Sequence, residues 1–285
     1  MLSRLKALFG RRRSVAPPEP FEPPEDALQE HVRYAMGLAA SYLGQLEQAG
    51  CSLRGLRVLE LGPGSDFGPA LILASHGAKV TIADRFMDKQ DQDHHRALNA
   101  RLLQTWDGPN QAIRRAVEVG GYDGVLTLLD CDAENLACPD RSFDLVLSNA
   151  VFEHVVGAQA ACRQLFRVTA VGGAHFHQID LRDHRDFARP LEYLLSNTDD
   201  FEPSAQWPGQ YGSRRRQRDY ARLFLDAGFI IETETTNGVA EAAYLEDFIA
   251  RLLASASPYR DVDRADLSKL GALFHLSRPS PPSDL

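Results

Sequence analysis

The sequence predicts an α/β protein: a doubly wound, mostly parallel, seven-stranded sheet with helices on both faces. Two observations carry this reading. From Leu56 onward, apolar runs of strand length alternate with segments of helical period. The first run also breaks into glycines just before a helix, at Gly62-Pro63-Gly64. At 285 residues the chain can bury a full core, and one domain with additions fits better than two.

The elements follow in order. Glu25–Gly50 reads as a helix, with Val32, Ala35, Met36, Ala39, Leu43 and Leu46 on one side and Gly50 as its stop. Strands are expected at Arg57–Leu61, Ala78–Ala83, Val125–Leu129, Phe143–Ser148, Ala174–Asp180, Phe229–Thr235 and near Gly271–Leu276. Helices are expected at Phe67–His76, within Gln90–Trp106, and at Gly157–Thr169, Arg216–Ala227 and Ala240–Ala254. Residues 86–121 and 182–215 exceed this minimal plan. Loops that long in a compact domain are usually lids or binding segments, so both are expected to recognise substrate.

The turn after the first strand, within Val-Leu-Glu-Leu-Gly-Pro-Gly-Ser-Asp-Phe-Gly at 58–68, suits a nucleotide cofactor. Glycines there let backbone approach a ligand where a Cβ would collide. Glu60 sits two residues before the first glycine, and Asp84 ends the next strand twenty positions after Gly64. An acid at that second place can accept two hydrogen bonds from ribose hydroxyls.

With Asp132-Ala133-Glu134, Ser148-Asn149, Phe152-Glu153-His154-Val155 and Gly172-Gly173 following in order, residues 55–181 resemble the class I S-adenosylmethionine-dependent methyltransferases of the type 11 kind. That resemblance implies S-adenosylmethionine as cofactor and an antiparallel pair at the sheet edge. It implies a cofactor-binding set of Glu60, Gly62, Pro63, Gly64, Asp84, Arg85, Asp132, Ala133 and Asn149. The acid and glycines would wrap the methionine part, Asp84 the ribose, and the Asp132 region would flank adenine. One departure is plain: Asp66 stands where the usual third glycine would be, with Gly68 two places on. His177–His184, with the arginine cluster and Asp219-Tyr220, resembles a bacterial subgroup found with glycan and secondary-metabolite pathways.

Composition excludes several classes. A formal charge of −8 argues against a broad nucleic-acid surface, so no nucleic-acid partner is expected. Cys51, Cys131, Cys138 and Cys162 show no Cys-x-x-Cys spacing, which suits reduced thiols in a cytoplasmic protein. Residues 1–24 form a separate basic, proline-rich tail ahead of a single domain at 25–285. Leu2, Leu5, Leu8 and Phe9 with Arg11-Arg12-Arg13 give two readings of residues 1–13. One is a disordered basic tail, preferred because nine residues make a marginal helix. The other is a short anchor in weak contact with the inner-membrane surface.

His154 and the run from Asp180 to His184 are singled out for chemistry. His154 is expected to begin the helix after the fourth strand, as a direct participant or as a structural histidine over the cofactor. Asp180, Asp183 and His184 are expected to converge where the fifth strand leaves the sheet. A His184–Asp180 pair there could deprotonate a hydroxyl, with the carboxylate fixing the imidazole tautomer. His175 is expected to be structural. A divalent metal on His177, Asp180 and His184 is the competing reading, and no metal is expected. Arg214 and Arg216, with Tyr193, Trp207 and Tyr211, could grip a phosphate, a glycan or an acid.

The leading expectation is therefore methyl transfer to a small molecule or glycan, at oxygen, with base assistance. The alternatives are transfer to nitrogen of a small molecule or protein, a NADP-dependent oxidoreductase on a similar fold, and a cofactor-binding protein without catalysis.

Overall fold

A computed structural model describes residues 25–87, 91–197 and 213–280. Seven strands form one sheet: β1 (Arg57–Leu61), β2 (Lys79–Asp84), β3 (Thr127–Asp130), β4 (Phe143–Asn149), β5 (Thr169–Asp180), β6 (Ile230–Thr236) and β7 (Gly271–Ser277). Their spatial order is β3-β2-β1-β4-β5-β7-β6. The first five pair in parallel, and β7 runs antiparallel to both β5 and β6. The sheet is thus the mostly parallel, doubly wound one that the sequence predicts, antiparallel edge included.

Alternation along each strand sorts the core into two layers. Val58, Leu145, Leu147 and Phe176 pack with α1 (Glu25–Gln48), α2 (Gly68–Ser75), α3 (Gln92–Thr105) and α4 (Gln111–Val119). Leu59, Leu61, Val146 and Ile179 point the other way, against α5 (Ala158–Val168) and α6 (Gln217–Ala227). A smaller cluster joins Leu191, Tyr193 and Leu194 to α7 (Ala242–Leu253) and α8 (Arg264–Leu267). No helix among the described residues is long and apolar enough to cross a membrane.

Several expectations need correction. The 86–121 stretch supplies core as well as loop: Leu98, Leu102, Ile113 and Ala116 are buried beneath the sheet. Strand β5 starts at Thr169, five residues early, with a register shift opposite Phe143–Leu145. Gly173 permits that irregularity, because a Cβ there would lie 2.7 Å from Thr169 Cγ2. The tail at 1–24, including the 1–13 membrane reading, lies outside the described residues, as do Trp207 and Tyr211.

Arg216 is not an anion grip. It is fully buried, and its guanidinium donates to the carbonyls of Leu181 at 2.9 Å and of Asp266 and Leu267 at 3.3 Å. It also reaches the Lys269 carbonyl and the Tyr193 hydroxyl. One planar cation with five donors thus ties the exit of β5 to α8. Arg214 likewise turns inward, donating to Ser196 O at 2.8 Å. Arg216→Ala leaves those buried carbonyls without donors, so unfolding in urea should show a loss of about 3 kcal/mol or more. Arg216→Lys should recover little, because an ammonium lacks the fork.

Candidate active site

The sheet order reverses direction between β1 and β4, so the crossovers from these strands leave on opposite sides and a crevice opens at their carboxyl ends. A cavity of about 250 Å³ sits there, lined among others by Gly62, Gly64, Asp84, Asp132, Val151 and His154. Arg85 and Ala133 also line it. Six of the nine expected cofactor residues therefore share one cavity. Pro63 faces a neighbouring hollow with His31, Tyr34 and Asp66. Asn149 donates to the Tyr34 hydroxyl at 2.8 Å, and Glu60 lies beneath the floor, 2% exposed.

The glycine turn is shaped by local necessity. Gly62 has φ +56, and a Cβ there would come within 2.9 Å of Val151 Cγ2. Gly64 has φ +70 with open space where a Cβ would stand, so any side chain would take ligand room. Asp66, in the place of the expected third glycine, accepts the amide of Gly68 at 2.7 Å and so caps the start of α2. Gly68 itself must be small, because a Cβ would lie 2.8 Å from Ala35 Cβ on α1. Opposite, Ala150 holds φ 54 at the end of β4, a left-handed residue with a side chain at the cavity wall.

Electrostatics mark the same place. Burial pushes the Glu60 carboxyl up to about 8, helped by the nearby Asp66 charge, and its Oε2 has no hydrogen-bond partner. Burial raises Asp66 to about 6, against the pull of the Gly68 amide. Asp84 is raised by burial, although amides of Phe86 and Gly64 favour its charged form; Phe86 N donates to Oδ1 at 2.7 Å. Across the cavity Arg85 pairs with Asp132 at 3.3 Å. An unsatisfied buried acid, a glycine cradle and an acid at the end of β2 fit the amino group, the close approach and the ribose hydroxyls of S-adenosylmethionine.

The chemistry-bearing residues gather at one end. His154 does not begin a helix. It closes the 3-10 turn Phe152–His154, four residues ahead of α5, and lines the cavity. His184 packs on it with ring centroids 4.9 Å apart. His184 Nε2 lies 3.6 Å from Asp180 Oδ2. Burial raises the Asp180 carboxyl, but His184 and a two-pronged grip by Arg182 outweigh it and hold the group well below the usual carboxylate range. Asp183 does not join them: it is buried and ion-paired with Arg185 at 2.6 Å.

His177 also stands apart. It hydrogen-bonds Ser148 Oγ at 2.7 Å and His175 at 3.0 Å, and stacks on Phe224. The metal set of His177, Asp180 and His184 is therefore not assembled. Burial drives the His177 imidazole down to about 3 and His175 well below its ordinary value, as befits core histidines. The sequence reading includes Glu153 in the Phe152–Val155 motif without a role of its own, and does not single out Tyr34. Glu153 was legible as an acid beside His154 in a turn after a buried strand. Tyr34, 115 positions from Asn149, left no sequence signal.

Residues 59–177 match the family described as "Methyltransferase domain". A ubiquinone/menaquinone biosynthesis C-methyltransferase from Xanthomonas campestris is 34% identical over 106 residues, covering 37% of this chain and 34% of that protein. The chain thus spans about a third of the length of the curated relatives it matches. A phosphoethanolamine N-methyltransferase from Haemonchus contortus, solved with S-adenosylhomocysteine, aligns with TM-score 0.50 at 18% identity, over 85% of this chain and 53% of that one. A candidate sarcosine dimethylglycine methyltransferase from Galdieria sulphuraria aligns with TM-score 0.51 at 15% identity, over 86% of each chain. Residues 59–177 thus match a methyltransferase domain, on a fold shared with these solved structures, and the oxidoreductase reading is set aside.

Glu60 gives a pH test. A carboxyl raised to about 8 keeps a proton in the folded chain that the unfolded chain has lost, so stability falls as pH climbs from about 4.5 to 8. Tyr34, Tyr42 and Asp66 face the same carboxyl. Glu60→Gln should be more stable than wild type at pH 8, by at least ~1.4 kcal/mol, with the gap closing near pH 5. Thermal melts across that range check it.

Proposed function

We propose that this chain transfers the methyl group of S-adenosylmethionine to a hydroxyl of a small molecule or glycan, with histidine-assisted loss of the hydroxyl proton. The observation that carries this reading is the pairing of His154 and His184 at the edge of the cavity formed by Gly62, Gly64 and Asp84. Bound there, the cofactor supplies an activated methyl on a sulfonium. The chain's residues have to hold, orient and deprotonate.

In this reading Glu60 meets the amino group of the cofactor and recovers the charge that burial denies it. Gly62 and Gly64 admit the backbone side of the methionine, with Pro63 shaping the turn. Asp84 accepts from the ribose hydroxyls through the oxygen not committed to Phe86. Arg85, Asp132 and Ala133 flank the base, and Asn149, held by Tyr34, closes the methyl end. Asp180 stays anionic under Arg182 and orients His184, and the His184–His154 pair takes up the acceptor's proton. The single domain at 25–285, with its tail at 1–24, belongs to the same proposal.

A second reading is transfer to carbon, favoured by the description of the Xanthomonas relatives as C-methyltransferases. Both readings need a proton removed beside the methyl, and product analysis separates them.

The test uses methyl-labelled S-adenosylmethionine with a fractionated bacterial extract. Label should enter the small-molecule or lipid-glycan fraction, on an ether oxygen. Label confined to protein or RNA overturns the acceptor class, and label on carbon selects the second reading. Asp84→Ala should weaken S-adenosylhomocysteine binding by ~1–3 kcal/mol in calorimetry, through lost charge-assisted hydrogen bonds. His184→Ala should slow transfer by about 10²-fold or more while cofactor affinity holds. Unchanged turnover removes His184 from the reaction.

A further inference from the structure

Beside the cavity lies a group that the proposed transfer leaves partly unexplained. Glu153, His154 and His184 each place a ligand-capable atom within 4.8 Å of the others, and no other such group of three occurs among the described residues. Glu153 is 1% exposed. Neither of its carboxyl oxygens has a hydrogen-bond partner, although the backbone amides of Glu153 and Asp180 lie near. At that depth the charged form of the carboxyl is costly, and a bound cation is what would stabilise it.

We propose that Glu153, His154 and His184 form a binding site for one divalent first-row transition ion of the zinc or cobalt kind, at the acceptor end of the cofactor cavity. Two imidazoles and one carboxylate suit such ions, whereas magnesium and calcium prefer all-oxygen shells. Three protein ligands leave a fourth position open, the pattern of catalytic rather than structural sites. Bonds of ~2.0–2.1 Å in a tetrahedron put ligand atoms about 3.3 Å apart, so a side-chain rotation of about an ångström draws the group together. Asp180, 3.6 Å from His184 and fixed by Arg182, is placed to hold the second imidazole nitrogen or its edge, as acids behind metal-bound histidines do.

Asp180 and Arg182 offset each other in an ion pair at 2.6 Å, so the carboxyl of Glu153 is the group whose charge an ion would meet. The cavity wall at His154 gives the open position access to an acceptor. With the ion bound, His154 and His184 would be ligands instead of bases. The ion would take over their part by lowering the acceptor hydroxyl's pKa so that its proton passes to solvent; this role rests on the methyl-transfer reading. Binding of the ion does not.

The experiment measures binding without cofactor or acceptor. Full-length, tag-free protein is stripped with a chelator and titrated with Co²⁺, read by its d–d absorbance and by competition with Zn²⁺. One ion per chain with the intense bands of a low-coordinate site is expected. Glu153→Gln and His184→Ala should each weaken Co²⁺ binding at least about tenfold. His275→Ala, on β7 and outside the group, should not. A melting shift with S-adenosylhomocysteine shows which variants remain folded, and Glu153→Gln, which keeps the side chain's shape, decides if His184→Ala does not fold. Binding that is non-stoichiometric, or equal in wild type and both variants, overturns the site. Either result leaves the label-transfer experiment to judge methyl transfer separately.

Discussion

The structure turns on the crevice between β1 and β4, and on the carboxylate that β1 carries into it. A parallel sheet wound in both directions has to open where its order reverses, and this one reverses beside Glu60. Strand alternation gives Glu60 no choice of side. Val58 faces the α1–α4 layer, so Glu60, two residues on, must face it as well. The acid thereby ends in an apolar layer with its carboxyl strongly raised. A folding sequence selected for stability alone would place a hydrophobe there, and the proposed contact with the cofactor's amino group accounts for the acid. The same layer fixes the rest: α1 reaches over to bring Tyr34 to Asn149, and Asp66 caps α2 directly below the glycine turn.

Much of this is legible in the sequence. Strand-length apolar runs, glycines after β1 and acids after β1 and β2 are local signals. Parallel pairing then brings their ends together without further information. That is why Gly62, Gly64, Asp84, Arg85, Asp132 and Ala133 share one wall although 71 positions separate the first from the last. Chain regions between the strands were harder. The 86–121 segment is polar overall, yet Leu98, Leu102, Ile113 and Ala116 carry enough periodic apolar surface to join the core. Its composition suggested a lid because the buried face is narrow. Arg216 misled for a different reason. Nothing in a run of arginines says which one will be swallowed to satisfy the carbonyl ends of another segment.

The histidines show how far residue type falls short of role. His175 and His177 stand two apart on β5, share a face, and are consumed by Thr169, Ser148 and each other. With Phe224 and Phe229 against them, they can neither gain a proton cheaply nor reach solvent. His154 and His184 come from separate turns, beyond the ends of β4 and β5, where neither strand can bury them completely. The difference is topological. A histidine inside a strand of a doubly covered sheet is solvated only by its neighbours, whereas one just past the carboxyl end stands where the layers part.

That placement also explains why the group around Glu153 is asymmetric. The turn Phe152–His154 drives Phe152 into the core against His177, and its next two side chains are then directed by a three-residue helical period. Glu153 is carried inward and His154 toward the cavity. An anchor residue of such size leaves little freedom to swing the acid out to water. The acid's burial is therefore a consequence of the same packing that aims the histidine toward the cavity.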